Sequence, residues 1–227
     1  MAGRIIAITG AAGVLGSAVA KAAAELPVQL ALIDHAQHCP GPEGAFIQTG
    51  VDLTDPVQAG AAIDAVAEQL GGLDVLLNIA GGFRWEPVEG GDPETWPHLF
   101  RLNVLTATNA SRAAIPHLKR SAAGRIVNVG SAAALKAGLG MGGYAASKSA
   151  VHRLTESLSI ELGDNDITVN AVLPAIIDTP ANRADMPDAD FSTWVRPAAI
   201  ADTILFLASH AARGVNGALV PVSRGHD

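Results

Sequence analysis

The chain has 227 residues, of which 49% are apolar and 16% charged, a balance that argues against disorder and for strands buried on both faces. The formal charge of −7, with the 15 Lys and Arg residues scattered, argues against a nucleic-acid partner. A lone cysteine, Cys39, excludes an intrachain disulfide, and no apolar run or signal-peptide layout points to a membrane or to export, so we expect a cytoplasmic protein.

Apolar runs rich in β-branched residues alternate with alanine-rich helical stretches, which is typical of βαβ units around a parallel sheet. The predicted strands are 4–9, 28–34, 45–51, 73–79, 124–130, 167–173 and 217–222. The predicted helices are 14–26, 56–70, 93–119, 144–162 and 197–209. Only the Pro- and Gly-rich stretch 35–44 joins the second and third strands, so this crossover is predicted to be a loop. We therefore expect a single α/β domain over residues 1–227.

The stretch ITGAAGVLGSAV follows the first predicted strand and begins the first predicted helix. It places Gly10, Gly13 and Gly16 in the spacing GxxGxxG. Such glycines let the backbone approach a pyrophosphate, whose charge faces free N–H groups and the positive end of the helix dipole. The pattern alone also fits a tight turn without a ligand, and its place between strand and helix favours a dinucleotide site.

Asp34 ends the second predicted strand, 24 residues after Gly10. A carboxylate there can accept hydrogen bonds from both ribose hydroxyls of NAD and repels the 2′-phosphate of NADP. His35 follows, and neither Arg nor Lys is adjacent. The sequence therefore favours NAD over NADP, with a solvated Asp at a strand end as the alternative.

Tyr144, the only tyrosine, lies four residues before Lys148, so both side chains share one helix face. A nearby cation lowers the pKa of a phenol, and a tyrosine tuned in this way can exchange a proton with an alcohol. Ser131 closes the fifth predicted strand, where its hydroxyl could hold a substrate oxygen. Asn103, in the long predicted helix, could position a water behind the lysine.

These motifs together resemble the short-chain dehydrogenases/reductases over nearly the whole chain. TGAAGVLG is similar to the family's cofactor loop, VDLTD to its adenine segment, and NIAGG to its sheet-stabilising segment. NVGS, YAASK and LPAIIDT also match family motifs. The resemblance implies a Rossmann-type doubly wound parallel sheet of about seven strands with helices on both faces. It also implies a catalytic tetrad of Asn103, Ser131, Tyr144 and Lys148.

The cofactor site implied by the same resemblance extends over several loops. Its residues are Gly10, Ala12, Gly13, Val14, Leu15, Gly16, Asp34, Asp52, Leu53, Ala80, Gly81, Tyr144, Lys148, Pro174, Ile177 and Thr179. Val14, Ile79 and Ala175 depart from the commonest family pattern at positions that carry no catalytic group. The resemblance also implies a homodimer or homotetramer formed through the long helices.

Within the family, the short loop after the second strand and residues 178–194 resemble dihydropteridine reductase-like members. Ser131 favours a different substrate, because a quinonoid imine has no carbonyl oxygen for a serine to hold. We therefore expect an NAD-dependent oxidoreductase that acts on a small carbonyl or alcohol, with NADH-dependent pterin reduction as the alternative. A catalytically idle NAD-binding protein and a structural subunit are hypotheses of other classes, and the intact tetrad disfavours the first.

Three aromatic residues are candidates for the substrate site. Phe83 and Trp85 follow the AGG turn with Arg84 between them, and Trp194 ends the loop expected over the nicotinamide. They fit an aromatic wall with one cation for a flat or anionic substrate, or equally a packed lid or subunit contact. The histidines show no metal-ligand spacing, and we expect His152 to be a packed or exposed helix residue.

Overall fold

The computed structural model describes residues 1–225. Within them, seven strands pair in parallel in the order β3-β2-β1-β4-β5-β6-β7. The strands are β1 (Ile5–Thr9), β2 (Gln29–Ile33), β3 (Phe46–Gln48), β4 (Val75–Asn78), β5 (Gly124–Val129), β6 (Ile167–Pro174) and β7 (Leu219–Val222). The order changes direction between β1 and β4, which creates a crevice at the carboxyl ends of these two strands.

Helices cover both faces of the sheet. They are α1 (Val14–Ala24), α2 (Pro56–Leu70), α3 (Thr95–Phe100), α4 (Thr106–Leu118), α5 (Gly142–Glu161), α6 (Pro180–Asp185) and α7 (Pro197–Ala208). One apolar core joins the sheet to α1 and α7, and a second joins its other face to α2, α4 and α5. Burial on both faces explains why the strands read as continuous apolar runs. The predicted doubly wound α/β fold is therefore confirmed.

The long helix predicted over residues 93–119 is present from Thr95 to Leu118, but it is not a regular α-helix throughout. A π-helical turn at Arg101–Leu105 separates α3 from α4, and the N–H of Thr106 donates to the carbonyl of Arg101, five residues back. Asp92 precedes the start of α3, and its carboxylate accepts from the N–H of Glu94 at 2.9 Å. The wide turn changes which side chains face inward, and it carries the buried Asn103.

A chain of buried amides crosses the middle of the sheet. Asn78 on β4 donates to the side chains of Ser111 on α4 and Asn128 on β5, both at 2.9 Å. Asn128 in turn donates to Thr155 on α5 at 2.9 Å. These bonds tie both helices to the two central strands just below their carboxyl ends.

The loop predicted over residues 35–44 contains no helix. Conversely, α6 and a short 3₁₀ turn at Phe191–Thr193 lie in a segment for which no helix was predicted. Among residues 1–225, no helix has both the length and the apolar character that crossing a membrane requires.

Candidate active site

A cavity of about 1640 Å³ lies along the carboxyl ends of β1, β4, β5 and β6. Pockets for one small ligand hold roughly 300–1,000 Å³, so this volume fits a cofactor and a substrate side by side. Of the residues predicted to bind the cofactor, all line the cavity except Ala12. The N–H of Ala12 instead donates to Asp34, which does line it.

The turn after β1 is packed so closely that side chains could not replace Gly10 or Gly16. Gly10 has a φ of 65°, and a Cβ there would lie 2.7 Å from the backbone of Ala80. A Cβ on Gly16 would lie 2.1 Å from the carbonyl oxygen of Gly10. Gly13 begins α1 with no side-chain cap, and the first turn of α1 holds no acidic residue. The free N–H groups and positive dipole end of α1 therefore suit a pyrophosphate.

Asp34 lies at the far end of the cavity from the tyrosine motif. Its two carboxylate oxygens accept hydrogen bonds from the N–H groups of Ala12 and Ala36, each at 2.8 Å. A carboxylate oxygen has a second lone pair, so both oxygens can still accept a ribose hydroxyl. Asp52 and Leu53 line the same end. The residues present thus fit the adenosine half of a nicotinamide dinucleotide.

Lys148 is nearly enclosed, with 5% of its surface exposed, although it reaches the cavity. Its Nζ donates to the carbonyl oxygen of Val129 at 2.8 Å. Burial lowers the pKa of its ammonium to about 8. A Cβ on Gly81 would lie 3.3 Å from Nζ, so this glycine leaves room for the lysine beside the loop after β4.

Tyr144 lines the cavity one turn before Lys148 on α5. Burial raises the pKa of its phenol, and a side-chain hydrogen bond with Ser131 acts in the opposite direction. In the chain without ligands, burial therefore sets the direction of the Tyr144 pKa shift, and the lowering expected from the charge of Lys148 does not. A cation has to act against this cost of desolvation before the phenolate can form near neutral pH.

Ser131 follows β5 and caps the short 3₁₀ turn Ala132–Ala134. Its Oγ accepts a hydrogen bond from the N–H of Ala133 at 3.2 Å. That bond does not use the hydroxyl proton, which serves the side-chain hydrogen bond with Tyr144 and could turn to a substrate oxygen bound beside the two residues. Ser131 and Tyr144 line the same end of the cavity.

Asn103 is fully buried and does not line the cavity. Its Oδ1 accepts from the N–H of Gly82 at 2.9 Å, and its Nδ2 donates to the carbonyl of Gly82 at 3.0 Å. The same Nδ2 donates to Ser147 at 3.0 Å, and Ser147 donates to the carbonyl of Tyr144 at 2.8 Å. The side chain of Asn103 therefore ties the loop after β4 to α5, which carries Tyr144.

The three candidate substrate residues separate into two places. Phe83 and Trp85 line the cavity beside Tyr144. The indole Nε1 of Trp85 donates to the carbonyl of Leu139 at 2.8 Å, which holds the ring at the rim. Trp194 is only 4% exposed and packs against Phe191 outside this cavity, with ring centroids 4.7 Å apart. Trp194, which was expected over the nicotinamide, is thus buried beneath the 178–194 segment and does not reach the cavity.

Further residues line the cavity that the sequence did not single out. They are mainly His98 and Arg101 beside the π-helical turn, and Met141, Ile176 and Met186 near the tyrosine end. The orientation of α3 could not be read from a pattern predicted as one long helix. Across the described residues, no group of three or more His, Cys, Asp or Glu side chains is arranged to hold a metal ion.

Comparisons with known proteins agree with this fold. The family model described as short chain dehydrogenase matches residues 4–190. A 2,5-dichloro-2,5-cyclohexadiene-1,4-diol dehydrogenase of Sphingobium indicum is 30% identical over 248 residues, covering 99% of this chain and 96% of the relative. Ligand-free aldohexose dehydrogenase of Thermoplasma acidophilum matches with a TM-score of 0.88 at 27% identity, covering 97% of this chain and 92% of that one.

A second solved structure, carveol dehydrogenase of Mycobacterium avium in complex with NAD, matches with a TM-score of 0.87 at 28% identity. The match covers 100% of this chain and 98% of that one. These relatives give no support to the closer resemblance to dihydropteridine reductase that residues 178–194 suggested. The chain belongs to the short-chain dehydrogenase family of oxidoreductases.

Proposed function

We propose that this protein is an NAD(H)-dependent dehydrogenase or reductase that interconverts a small alcohol and its carbonyl compound, with Tyr144 as general acid and base. The observation that carries the proposal is the shared cavity: Tyr144, Lys148 and Ser131 line one end, and Asp34 lines the other. In this proposal the whole chain works as one domain.

Oxidation of an alcohol removes a proton from oxygen and a hydride from carbon. The nicotinamide, when bound, supplies the hydride acceptor, and the chain has to manage the proton. Tyr144 takes the hydroxyl proton on its phenolate oxygen, while the hydroxyl of Ser131 donates a hydrogen bond to the substrate oxygen. Carbonyl reduction reverses the transfer, so the phenol then gives its proton to the oxygen of the new alcohol.

Lys148 provides the positive charge that ionisation of Tyr144 requires. The pKa of its ammonium, about 8, leaves it charged at neutral pH. That charge favours the phenolate and opposes the effect of burial on Tyr144. Asn103 contributes by holding the loop after β4 against α5, and so keeps the two walls of the site in fixed positions relative to each other.

The cofactor preference follows from Asp34. A 2′-phosphate would bring a second negative charge to a carboxylate that already stands at the ribose end, so NAD(H) is favoured over NADP(H). Gly13, Val14 and Leu15 at the start of α1 would hold the pyrophosphate. Pro174, Ile177 and Thr179 would hold the nicotinamide end of the dinucleotide.

The substrate body is apolar in this proposal. Phe83, Trp85, Ile176 and Met186 line the cavity, and each remains substantially exposed in the chain without ligands. Arg84, the cation between the two aromatics, is paired with Glu86 at 3.1 Å, so its charge is already balanced. These apolar walls favour a neutral ring or short chain, as the names of the cyclohexadiene-diol and carveol relatives also suggest.

The experiment is to compare the wild type with Tyr144→Phe in an assay of NADH oxidation and NAD⁺ reduction. The substrate screen includes simple and cyclic ketones and alcohols, 3-oxoacyl thioesters, quinones and quinonoid dihydropterin. We expect the variant to lose at least about 100-fold in kcat while its NADH dissociation constant stays within about twofold. Full activity of the variant would overturn the mechanism.

Two other outcomes of the screen are informative. Activity restricted to quinonoid dihydropterin would replace the proposed substrate with a pterin. A wild type that binds NADH yet turns over no substrate in the screen would favour an idle NAD-binding protein.

We also propose that the protein is a homodimer or homotetramer assembled through the long helices. Trp96 and Phe100 on α3 and Ile160 on α5 support this, because all three are large apolar side chains left exposed. Sedimentation of the wild type and of Phe100→Glu tests it. We expect the charge to shift the wild-type oligomer toward the monomer, and a wild-type monomer would contradict the proposal.

A further inference from the structure

His152 occupies an unusual place for a helix histidine. It lies on α5 one turn after Lys148 and is 2% exposed. Its imidazole packs behind the end of β5, where its Nε2 accepts a hydrogen bond from the backbone N–H of Ser131 at 3.4 Å. His152 does not line the cavity, so this contact reaches the candidate catalytic serine from within the protein.

Gly130 makes this contact possible. A Cβ on Gly130 would lie 2.5 Å from Nε2 and 2.7 Å from Cδ2 of His152, so any side chain there would displace the ring. The N–H of Gly130 donates to the carbonyl of Val172 at 2.9 Å, which keeps the end of β5 paired with β6. The backbone at residues 130–131 is thus held between a neighbouring strand and the imidazole.

The hydrogen bond also defines the protonation state of His152. A nitrogen that accepts from an N–H carries no proton, so the ring is neutral with its proton on Nδ1. Burial lowers the pKa of the imidazole, and the positive charges of Arg153 and Lys148 act in the same direction against the weaker effect of Glu156. A proton on Nε2 would place two hydrogen-bond donors, the Nε2–H of His152 and the backbone N–H of Ser131, facing each other.

Ser131 is consequently held at two atoms. Its N–H donates to His152, and its Oγ accepts from the N–H of Ala133 at 3.2 Å. These two bonds fix the backbone and the hydroxyl oxygen, so the direction left to the hydroxyl proton is constrained. A shift of about 1 Å in a positioned group can cost about 100-fold in rate.

We propose that His152 is a positioning residue that acts through Ser131. The inference rests on the proposed function, because it needs Ser131 to contact the substrate oxygen. It differs from a packing role in one measurable respect. A residue that acts only through Ser131 loses its effect on catalysis once the Ser131 hydroxyl is removed, whereas a residue that only packs the core does not.

The test is a double-mutant cycle of His152→Leu and Ser131→Ala, with His152→Gln as the conservative variant. Leucine fills the space without an acceptor, and the glutamine amide oxygen can replace Nε2 as acceptor. We expect His152→Leu to lower kcat by about 10-fold to 100-fold and His152→Gln to stay within about threefold of the wild type. In the Ser131→Ala background, His152→Leu should change kcat by less than about twofold.

Thr155→Val is the matched control for stability, because Thr155 is a buried polar residue one turn further along α5 and bonds to Asn128 rather than Ser131. It should lower the thermal midpoint comparably to His152→Leu while leaving kcat near the wild-type value. The NADH dissociation constant of each variant, measured by fluorescence, shows whether the cofactor site is intact.

Three results would overturn the inference: wild-type kcat in His152→Leu, an equal loss of kcat in both backgrounds, or a Gln variant as slow as the Leu variant. Tyr144→Phe separates this failure from that of the proposed function. If Tyr144→Phe is inactive while His152→Leu is fully active, only the role of His152 is wrong. If Tyr144→Phe is fully active, the proposed mechanism itself fails.

Discussion

Phe83 and Tyr144 meet edge to face, with ring centroids 4.9 Å apart and ring planes at 86°. Phe83 belongs to the loop after β4 and Tyr144 to α5, so this contact closes the tyrosine end of the cavity from the side. Aromatic pairs in this arrangement contribute about 0.5–1.5 kcal/mol beyond the burial of their surface. The ring proposed to form the substrate wall therefore also contacts the phenol ring of Tyr144.

Phe83→Ala should weaken substrate binding more than it slows chemistry. It removes an apolar wall and the edge-to-face contact together, so we expect KM for a neutral cyclic ketone to rise about 10-fold. The measurement is steady-state kinetics at saturating NADH. Phe206→Ala is the control, because Phe206 is about as exposed as Phe83, 50% against 48%, but lies on α7 away from the cavity. An unchanged KM in Phe83→Ala would contradict the assigned wall.

Asp34→Ala should relax the cofactor preference. Loss of the carboxylate removes its repulsion of a 2′-phosphate and its acceptors for the ribose hydroxyls, so the ratio of kcat/KM for NADH to that for NADPH should fall at least about 10-fold. Asp34→Asn separates charge from shape, because its amide oxygen can still accept from a backbone N–H. Asp164→Asn removes an exposed carboxylate outside the cavity and should leave the ratio unchanged.

A wild type that already prefers NADPH several-fold would show that the role given to Asp34 is wrong.

Burial of Lys148 should destabilise the fold at neutral pH, and Lys148→Met should reveal it. The pKa of the amine falls from its ordinary 10.5 to about 8 in the folded chain, so between these values the unfolded chain binds more protons. The stability of the wild type relative to Lys148→Met should therefore rise from pH 8 to pH 10.5, by up to about 3 kcal/mol. Below about pH 8 the difference in the free energy of unfolding between the two proteins should be constant.

Urea denaturation of both proteins across this pH range provides the measurement. Lys21→Met, at an exposed lysine on α1, is the control for the loss of one lysine side chain. A difference between wild type and Lys148→Met that stays flat up to pH 10.5 would show that the buried amine keeps its ordinary pKa.

The single tyrosine of the chain makes its titration directly visible. Ultraviolet absorbance of the tyrosinate in the cofactor-free protein should show a midpoint above the ordinary value of 10.0, because burial disfavours the phenolate. Ser131→Ala should raise the midpoint further, since the Ser131 hydrogen bond lowers the pKa. Tyr144→Phe supplies the baseline, and a midpoint clearly below 10.0 would contradict the dominance of burial.

The strands and the glycine turn after β1 were predictable because their signals are local. A strand buried on both faces reads as an apolar run, and Gly10, Gly13 and Gly16 stand where strand meets helix, so neither feature depends on distant residues. The α3–α4 region was not predictable in the same way. One extra residue in a helical turn leaves the composition of the segment unchanged, yet it places Asn103 inside and His98 and Arg101 beside the cavity.

The aromatic candidates show a second limit. The sequence alone does not distinguish Phe83, Trp85 and Trp194 as candidates. The path of the 178–194 segment decides that Trp194 does not reach the cavity. A backbone bridge between Ile177 and Val195 folds that segment back on itself, and Trp194 is consequently buried beneath it. The direction of the Tyr144 pKa shift was likewise hidden, because desolvation depends on surroundings that a spacing of four residues does not describe.

The short crossover between β2 and β3 has a consequence for how the molecule opens. β3 is a three-residue edge strand, and the crossover that leads to it contains no helix that could cover it. The backbone of Asp34 nevertheless forms hydrogen bonds with the backbone of Gln48 at the end of β3 and of Val51 just after it. Edge segments with little buried surface unfold locally at low free energy. Backbone amide hydrogen exchange should therefore be fastest at the Asp34 end of the cavity, and a bound dinucleotide should slow the exchange most there.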